Sequence, residues 1–228
     1  MSFVSDAKNY LTRILEAAHN SLFPRRCAGC RAKGSYLCEL CANDIPIRGN
    51  YGDKAIYSVV PYGHKTVRQL IWLLKYRGVC EIADIFASWL YEALLEDLAE
   101  AAVYREKQGR ILIVPIPLSK KRYRLRGYNQ AEEIATRLVA LDPRLFRLEA
   151  ENLIKAKETK TQVSLKNRQE RLNNLKGVFR VKDRHRLRGR TIILLDDVST
   201  TGATLDEAAK ALSRGKPRRL IKITVAGG

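Results

Sequence analysis

The sequence predicts an α/β protein built on a mostly parallel sheet with helices on both faces, preceded by a small cysteine-rich module. Three observations carry this expectation. Short strands that are apolar on both faces alternate with helical stretches; two C-x2-C pairs lie close together near the N-terminus; and a strand at Thr191–Leu195 runs into two aspartates and a Thr/Gly-rich turn. Strands without a polar face belong inside a sheet covered on both sides, and their alternation with helices favours parallel pairing. A length of 228 residues accommodates one such domain with an appendage.

Along the chain, Phe3, Tyr10, Leu11, Ile14, Leu15, Ala18 and Leu22 recur at helical spacing, and Pro24 stops that helix. Residues 48–54 read as a linker, which puts the boundary between the appendage (1–50) and the main domain (51–228) there. Ala55–Tyr62 reads as a strand and His64–Tyr76 as a helix with Val67, Leu70, Ile71 and Leu74 on one face. A long helical pattern covers Ile82–Tyr104. Ile111–Ile116 is a nearly unbroken apolar strand, followed by a basic loop at Pro117–Gly127 and a helix at Asn129–Leu141. Strand Thr191–Leu195, helix Asp206–Leu212 and strand Leu220–Val225 complete the pattern. Apolar runs such as Leu70–Leu74 fall far short of the roughly 20 residues that span a bilayer. The start, Met1–Lys8, carries Asp6 and lacks the basic end and apolar core of a signal peptide, so the chain is expected in the cytoplasm, without membrane insertion.

Cys27 and Cys30 are separated by seven residues from Cys38 and Cys41. Two tight turns joined by a short loop can converge four thiolates on one tetrahedral ion, and an all-sulfur site suits zinc. Reduced cytoplasmic thiols favour this reading over two disulfides. A closed four-cysteine site has no open position for water, so the zinc is structural. Cys80 stands outside the set and reads as a small buried hydrophobe.

Charge is lopsided. Lys and Arg number 42 against 24 acids, a net of +18; residues 111–228 hold 27 basic and 12 acidic residues, a net of +15. Such a field attracts phosphates, on small ligands or along a nucleic-acid backbone. The run Arg180, Lys182, Arg184, Arg186, Arg188 and Arg190, with Arg214, Lys216, Arg218, Arg219 and Lys222, is read as a surface for single-stranded nucleic acid, Arg124 counted with it and Tyr123 and Tyr128 placed to stack on bases.

The most informative stretch follows strand Thr191–Leu195. Asp196 and Asp197 stand at its carboxyl end, where they can accept hydrogen bonds from vicinal hydroxyls or hold a hydrated Mg2+. Ser199, Thr200, Thr201, Gly202, Ala203 and Thr204 then supply hydroxyls and backbone N–H groups at the start of a helix, an anion nest. Carboxylates for a diol beside a nest for a phosphate describe a ribose phosphate. A Walker B strand would also end in Asp, but no G-x4-G-K-[ST] occurs in the chain.

Asp196-Asp197-x3-Thr201-Gly202-x-Thr204 resembles the motif with which type I phosphoribosyltransferases bind phosphoribosyl pyrophosphate (PRPP). Val114-Pro115-Ile116-Pro117-x4-Arg122-x3-Arg126-Gly127-Tyr128-Asn129-Gln130-Ala131 resembles the hallmark of the ComF (competence protein F, ComFC/GntX-like) family. So do Leu74-Lys75-Tyr76-Arg77-Gly78, Thr161-Gln162-x2-Leu165-x2-Arg168-x2-Arg171-x2-Asn174 and the four-cysteine module. The resemblance implies a type I phosphoribosyltransferase fold. It also implies a pyrophosphate loop carrying Lys120, Lys121, Arg122 and Arg126, and a flexible closing loop carrying Lys157, Lys160, Gln162 and Arg168. PRPP would bind with Mg2+. By the same resemblance the protein is expected to handle single-stranded DNA during DNA uptake in natural transformation, beside a protein partner from the competence machinery. Phosphoribosyl transfer, a metabolic phosphoribosyltransferase and a PRPP-sensing regulator remain open, since no residue pattern identifies an acceptor.

Overall fold

The computed structural model describes residues 24–47, 56–157 and 177–228, with backbone alone for 96–108. The chain divides into two compact units, Met1–Ile45 and Pro46–Gly228. The helix expected over residues 3–22 and the linker at 48–54 lie outside the described residues.

In the first unit, an antiparallel bridge joins Arg26 to Lys33 and a short helix, α1 (Glu39–Asn43), follows Cys38. Cys27 and Ile45 are the buried hydrophobic residues described here, which is far too little to form a core.

The second unit is a five-stranded sheet of β1 (Tyr57–Pro61), β2 (Ile111–Pro115), β3 (Phe146–Leu148), β6 (Thr191–Ser199) and β7 (Arg219–Gly227). Its order is β1-β7-β6-β2-β3 and every pairing is parallel. A separate antiparallel ribbon joins β4 (Leu153–Lys155) to β5 (Phe179–Val181). The helices are α2 (Lys65–Arg77), α3 (Ile82–Gln108), α4 (Lys120–Arg126), α5 (Gln130–Leu141) and α6 (Ala203–Ser213).

Side chains alternate across each strand, so the two apolar faces need separate cover. Leu112, Val114, Ile192 and Leu194 share one core with Leu205, Ala208, Ala211 and Leu212 of α6 and with Phe179 of the ribbon. Ile113 and Ile193 are also fully buried, and α5 packs on β2, β3 and β6 while α3 packs on α5. The helices therefore cover both faces, as expected.

Three local expectations change. Pro117–Gly127 is not an open loop. Ser119 caps a two-turn helix by accepting from the N–H of Arg122 at 3.3 Å, and Gly127 ends it at φ 80°. Cys80 is half-buried rather than enclosed. Strand β6 also runs four residues past Leu195, because β7 continues to pair with it through Ser199↔Gly227. The two aspartates therefore sit within a strand rather than beyond it.

Candidate functional site

The topology opens a crevice at one place. Strand β2 passes through α5 to β3 on its outer side, whereas β6 passes through α6 to β7 on the other. The pairing of β2 with β6 ends at Pro115↔Leu195, and beyond it the chain turns away at Ile116, whose N–H still donates to Leu195 at 2.8 Å. At such a reversal the carboxyl ends of adjacent strands leave a gap between their loops, where α/β proteins bind ligands. A cleft of about 230 Å3 occupies this position, lined among others by Lys75, Ser119, Arg122, Arg126, Gln130, Lys155, Asp196 and Asp197. A smaller hollow of about 40 Å3 adjoins it, bounded by Asp196 and the turn Ser199–Leu205.

The turn is shaped by Gly202, at φ 71°, whose N–H donates to the Ser199 hydroxyl at 3.1 Å. A side chain at that backbone angle would be strained, so Gly202→Ala is expected to cost about 1 kcal/mol and to weaken anion binding at the turn, checked by thermal melting and phosphate titration. The Gly202 N–H is thus engaged by Ser199, and Thr200 and Thr201 are among the residues that line the hollow.

Asp196 and Asp197 differ sharply. Asp197 is buried and paired with Lys75, Nζ to Oδ2 at 2.9 Å, with side-chain exposures of 18% for Lys75 and 10% for Asp197. Burial acts to lower the Lys75 pKa, but the charge and hydrogen bond of Asp197 prevail and leave it raised. Lys75 is therefore an ammonium at neutral pH. Asp196 accepts the N–H of Asp197 at 2.9 Å and borders both cavities. Burial first, and then the neighbouring Asp197 charge, push its carboxyl up to about 7, against the opposing pull of Lys75. The two adjacent carboxylates thus have different surroundings, one held by Lys75 and the other bordering both cavities.

Also in the lining, Arg126 donates to Gln130 Oε1 at 2.6 Å, with its guanidinium carbon 5.3 Å from the ring centre of Tyr76. Asn129 is buried, donates to Ile116 O at 3.0 Å and accepts from the Ala131 N–H at 3.2 Å, tying the end of β2 to the start of α5. Arg122 and Arg126 thus reach the cleft. Lys120 and Lys121 are exposed and outside its lining. Lys157 is exposed near Gly177, while Lys160, Gln162 and Arg168 lie outside the described residues.

Several proposed nucleic-acid contacts have other work in this structure. Arg186 pairs with the buried Glu149 at 2.9 Å, and Arg190 donates to the Arg110 carbonyl at 2.8 Å while packing on Gly109. The Tyr128 hydroxyl donates to the Leu74 carbonyl, fixing the turn before α5 against α2, so that end of the ring is not offered to a base. Arg124, Arg184 and Arg188 are exposed. Sequence reasoning gave no role to Lys75, Lys155, Asn129 or Gln130. Lys75, Asn129 and Gln130 lie inside motifs singled out from the sequence, and Lys155 is the last residue of β4.

The four cysteines form the second cluster. Their sulfurs all lie within 4.8 Å of one another, with Cys38 Sγ 3.6 Å from Cys27 Sγ and from Cys30 Sγ. Thiolates about 2.3 Å from a tetrahedral ion stand roughly 3.8 Å apart, so the donor set fits a metal. Burial raises the Cys27 thiol, but backbone N–H groups of Cys38, Cys30 and Gly29 outweigh it and bring it down to about 6. Cys41 is pushed up to about 12, chiefly by hydrogen bonding with Cys38. Four thiols this close ionise together only around a cation.

Residues 126–228, which include β6, the diacid and the Thr/Gly turn, match the family model described as the phosphoribosyl transferase domain. The chain is 30% identical over 194 residues to competence protein F of Haemophilus influenzae, spanning 82% of this chain and 78% of that one. It is 29% identical over 219 residues to competence protein ComFC of Bacillus subtilis, spanning 87% and 82%. A 145-residue match at 33% to the DNA utilization protein YhgH of Escherichia coli O6:H1 spans 64% and 60%. The chain belongs to the ComF (competence protein F) family. Among the described residues no helix is long and apolar enough to cross a membrane.

Proposed function

We propose that the cleft binds PRPP and that the protein works on single-stranded DNA in a competence-related role in the cytoplasm. The observation that carries the first part is the convergence, at one topological switch point, of a Thr/Gly turn, two aspartates and two arginines from separate stretches of chain. The turn Ser199–Thr204 would take the 5-phosphate, Asp196 and Asp197 the ribose hydroxyls, and Arg122 and Arg126 the diphosphate through charge-assisted bonds. The second part is supported by the net charge of +18 and by the competence and DNA utilization roles named for the relatives.

Mg2+ takes carboxylate oxygens, and Asp196 offers them to the cleft, whereas Oδ2 of Asp197 is already held by Lys75. Asp196 is thus the residue that would face the ion, which offsets diphosphate charge when bound. For the cysteine cluster we assign zinc with a structural role.

Were the phosphoribosyl group transferred, pyrophosphate would leave C1 of the ribose as an incoming nucleophile bonds there, with Arg122 and Arg126 stabilising the departing charge. A sensor that binds PRPP without turnover is favoured by the Lys75–Asp197 pair, which occupies one of the two acids. Pyrophosphate release on incubation with PRPP, Mg2+ and candidate acceptors separates the two readings. PRPP calorimetry tests the common premise. Asp196→Asn with Asp197→Asn is expected to weaken binding roughly tenfold or more, since hydrogen bonds to charged groups contribute about 1.5–3 kcal/mol each; unchanged affinity would overturn the assignment.

A pH profile follows from Asp196. Its folded pKa lies near 7, above that of an unfolded aspartate, so the native state holds a proton that the unfolded chain releases. Stability contributed by this group therefore falls as pH rises from about 4 to about 7. Ligand affinity that needs the ionised carboxylate rises over the approach to pH 7 and then levels off. Because PRPP phosphates titrate near pH 6 themselves, Asp196→Asn is the control: its profile should keep only the ligand's contribution.

A further inference from the structure

Helix α2 uses one face for the core, through Val67, Leu70, Ile71 and Leu74, and sends Lys75 into the cleft. Its outer face carries Arg68, Trp72 and Tyr76 at successive i, i+4 positions. Trp72 is 44% exposed and Tyr76 63% exposed, although each is a large ring that folding would ordinarily cover. The rings stand 6.3 Å apart, inclined at 43°, so they do not cover each other's faces. Arg126, from the cleft wall, lies against Tyr76.

We infer that Trp72 and Tyr76 form a stacking platform for successive unpaired bases of single-stranded nucleic acid, with Arg68 and Arg126 beside the rings to meet the backbone phosphates. Exposed aromatics interleaved with guanidinium groups are the chemistry that holds single strands without reading sequence, because every base offers a π-face and every linkage a negative charge. A second copy of this chain is a poor occupant, since two bodies of net charge +18 repel. A neutral protein surface would leave the arginines unused. The inference rests on the DNA-handling reading and places it on α2 rather than on the Arg180–Arg190 run, where Arg186 and Arg190 are already engaged.

The protein carries its own probe. Of its two tryptophans, Trp89 is 6% exposed and packs on Phe86, so Trp72 is the one solvent can reach. Titration with an oligodeoxythymidine of about ten nucleotides, within the site sizes of single-strand binders, is expected to quench Trp72 fluorescence. An abasic strand of equal length should bind more weakly and leave the emission unchanged. Trp72→Ala should lower oligonucleotide affinity roughly five- to 150-fold, the range for loss of one stacked base, without altering the salt dependence. Trp72→Phe should retain most of the affinity, and PRPP affinity in both variants should match the parent. If the parent binds the oligonucleotide but Trp72→Ala and the abasic strand bind equally well, the platform is overturned and the DNA-handling reading survives. If the parent binds no single strand even near 50 mM salt, the DNA-handling reading itself fails.

Discussion

Lys75→Met is expected to destabilise the protein by about 3–5 kcal/mol, the usual cost of removing one partner from a buried ion pair. The geometry explains the size of the effect. Lys75 and Asp197 are mostly shielded from water, and Asp196 lies immediately beside them. Without the ammonium, Asp197 would be an uncompensated charge next to a second acid, and Asp196 would hold its proton to still higher pH. For a chain of this length the thermal midpoint should fall by roughly 6–20 °C. Asp197→Asn in the Lys75→Met background should recover much of the loss, since an amide needs no counter-charge. A single variant that melts with the parent would show that the pair is solvated and structurally idle. PRPP affinity should also drop in Lys75→Met, because the substitution strips a cation from a cleft proposed to hold a diphosphate while leaving both acids in place.

Metal removal should have an even larger local effect. The described part of the first unit has only Cys27 and Ile45 as buried apolar residues, so among the described residues the sulfur cluster is the main feature holding 24–47 in shape. Structural zinc contributes on the order of 10–16 kcal/mol in small thiolate modules. Cys38→Ser removes the sulfur lying 3.6 Å from two of the others. One zinc per chain is expected in the parent by elemental analysis and much less in the variant. Chelator treatment should open residues 24–47 to proteolysis, visible as new cleavage sites within that segment. Metal-free parent protein that resists cleavage as well as the loaded form would refute a structural role.

Much of this architecture is legible in the chain because its signals are local. The runs Ile111–Val114 and Ile192–Leu195 are apolar at every position, the cysteine spacing is compact, and the diacid and Thr/Gly turn are contiguous. What escaped depends on distance or brevity. Strands β3, β4 and β5 have three residues each, too short for periodicity to register. Helix α4 has no apolar face, and its only marks are the Ser119 cap and the Gly127 stop. The role of Lys75 is set by Asp197, far along the chain, and Arg186 and Arg190 look like free surface charge until Glu149 and the Arg110 carbonyl are brought to them. A charge's partner is decided by topology, and no local pattern of arginines reveals it.

Arg126 faces two ways: it lines the cleft, and it rests against Tyr76 on the outer side of α2. One side chain shared by two surfaces would couple them thermodynamically if both ligands engage it. If a diphosphorylated sugar in the cleft changes the hold on a DNA strand at Tyr76, the strand must change the hold on the sugar by the same factor, whichever is added first. Calorimetric titrations run in both orders would read that shared factor directly, and Arg126→Ala should bring it to one.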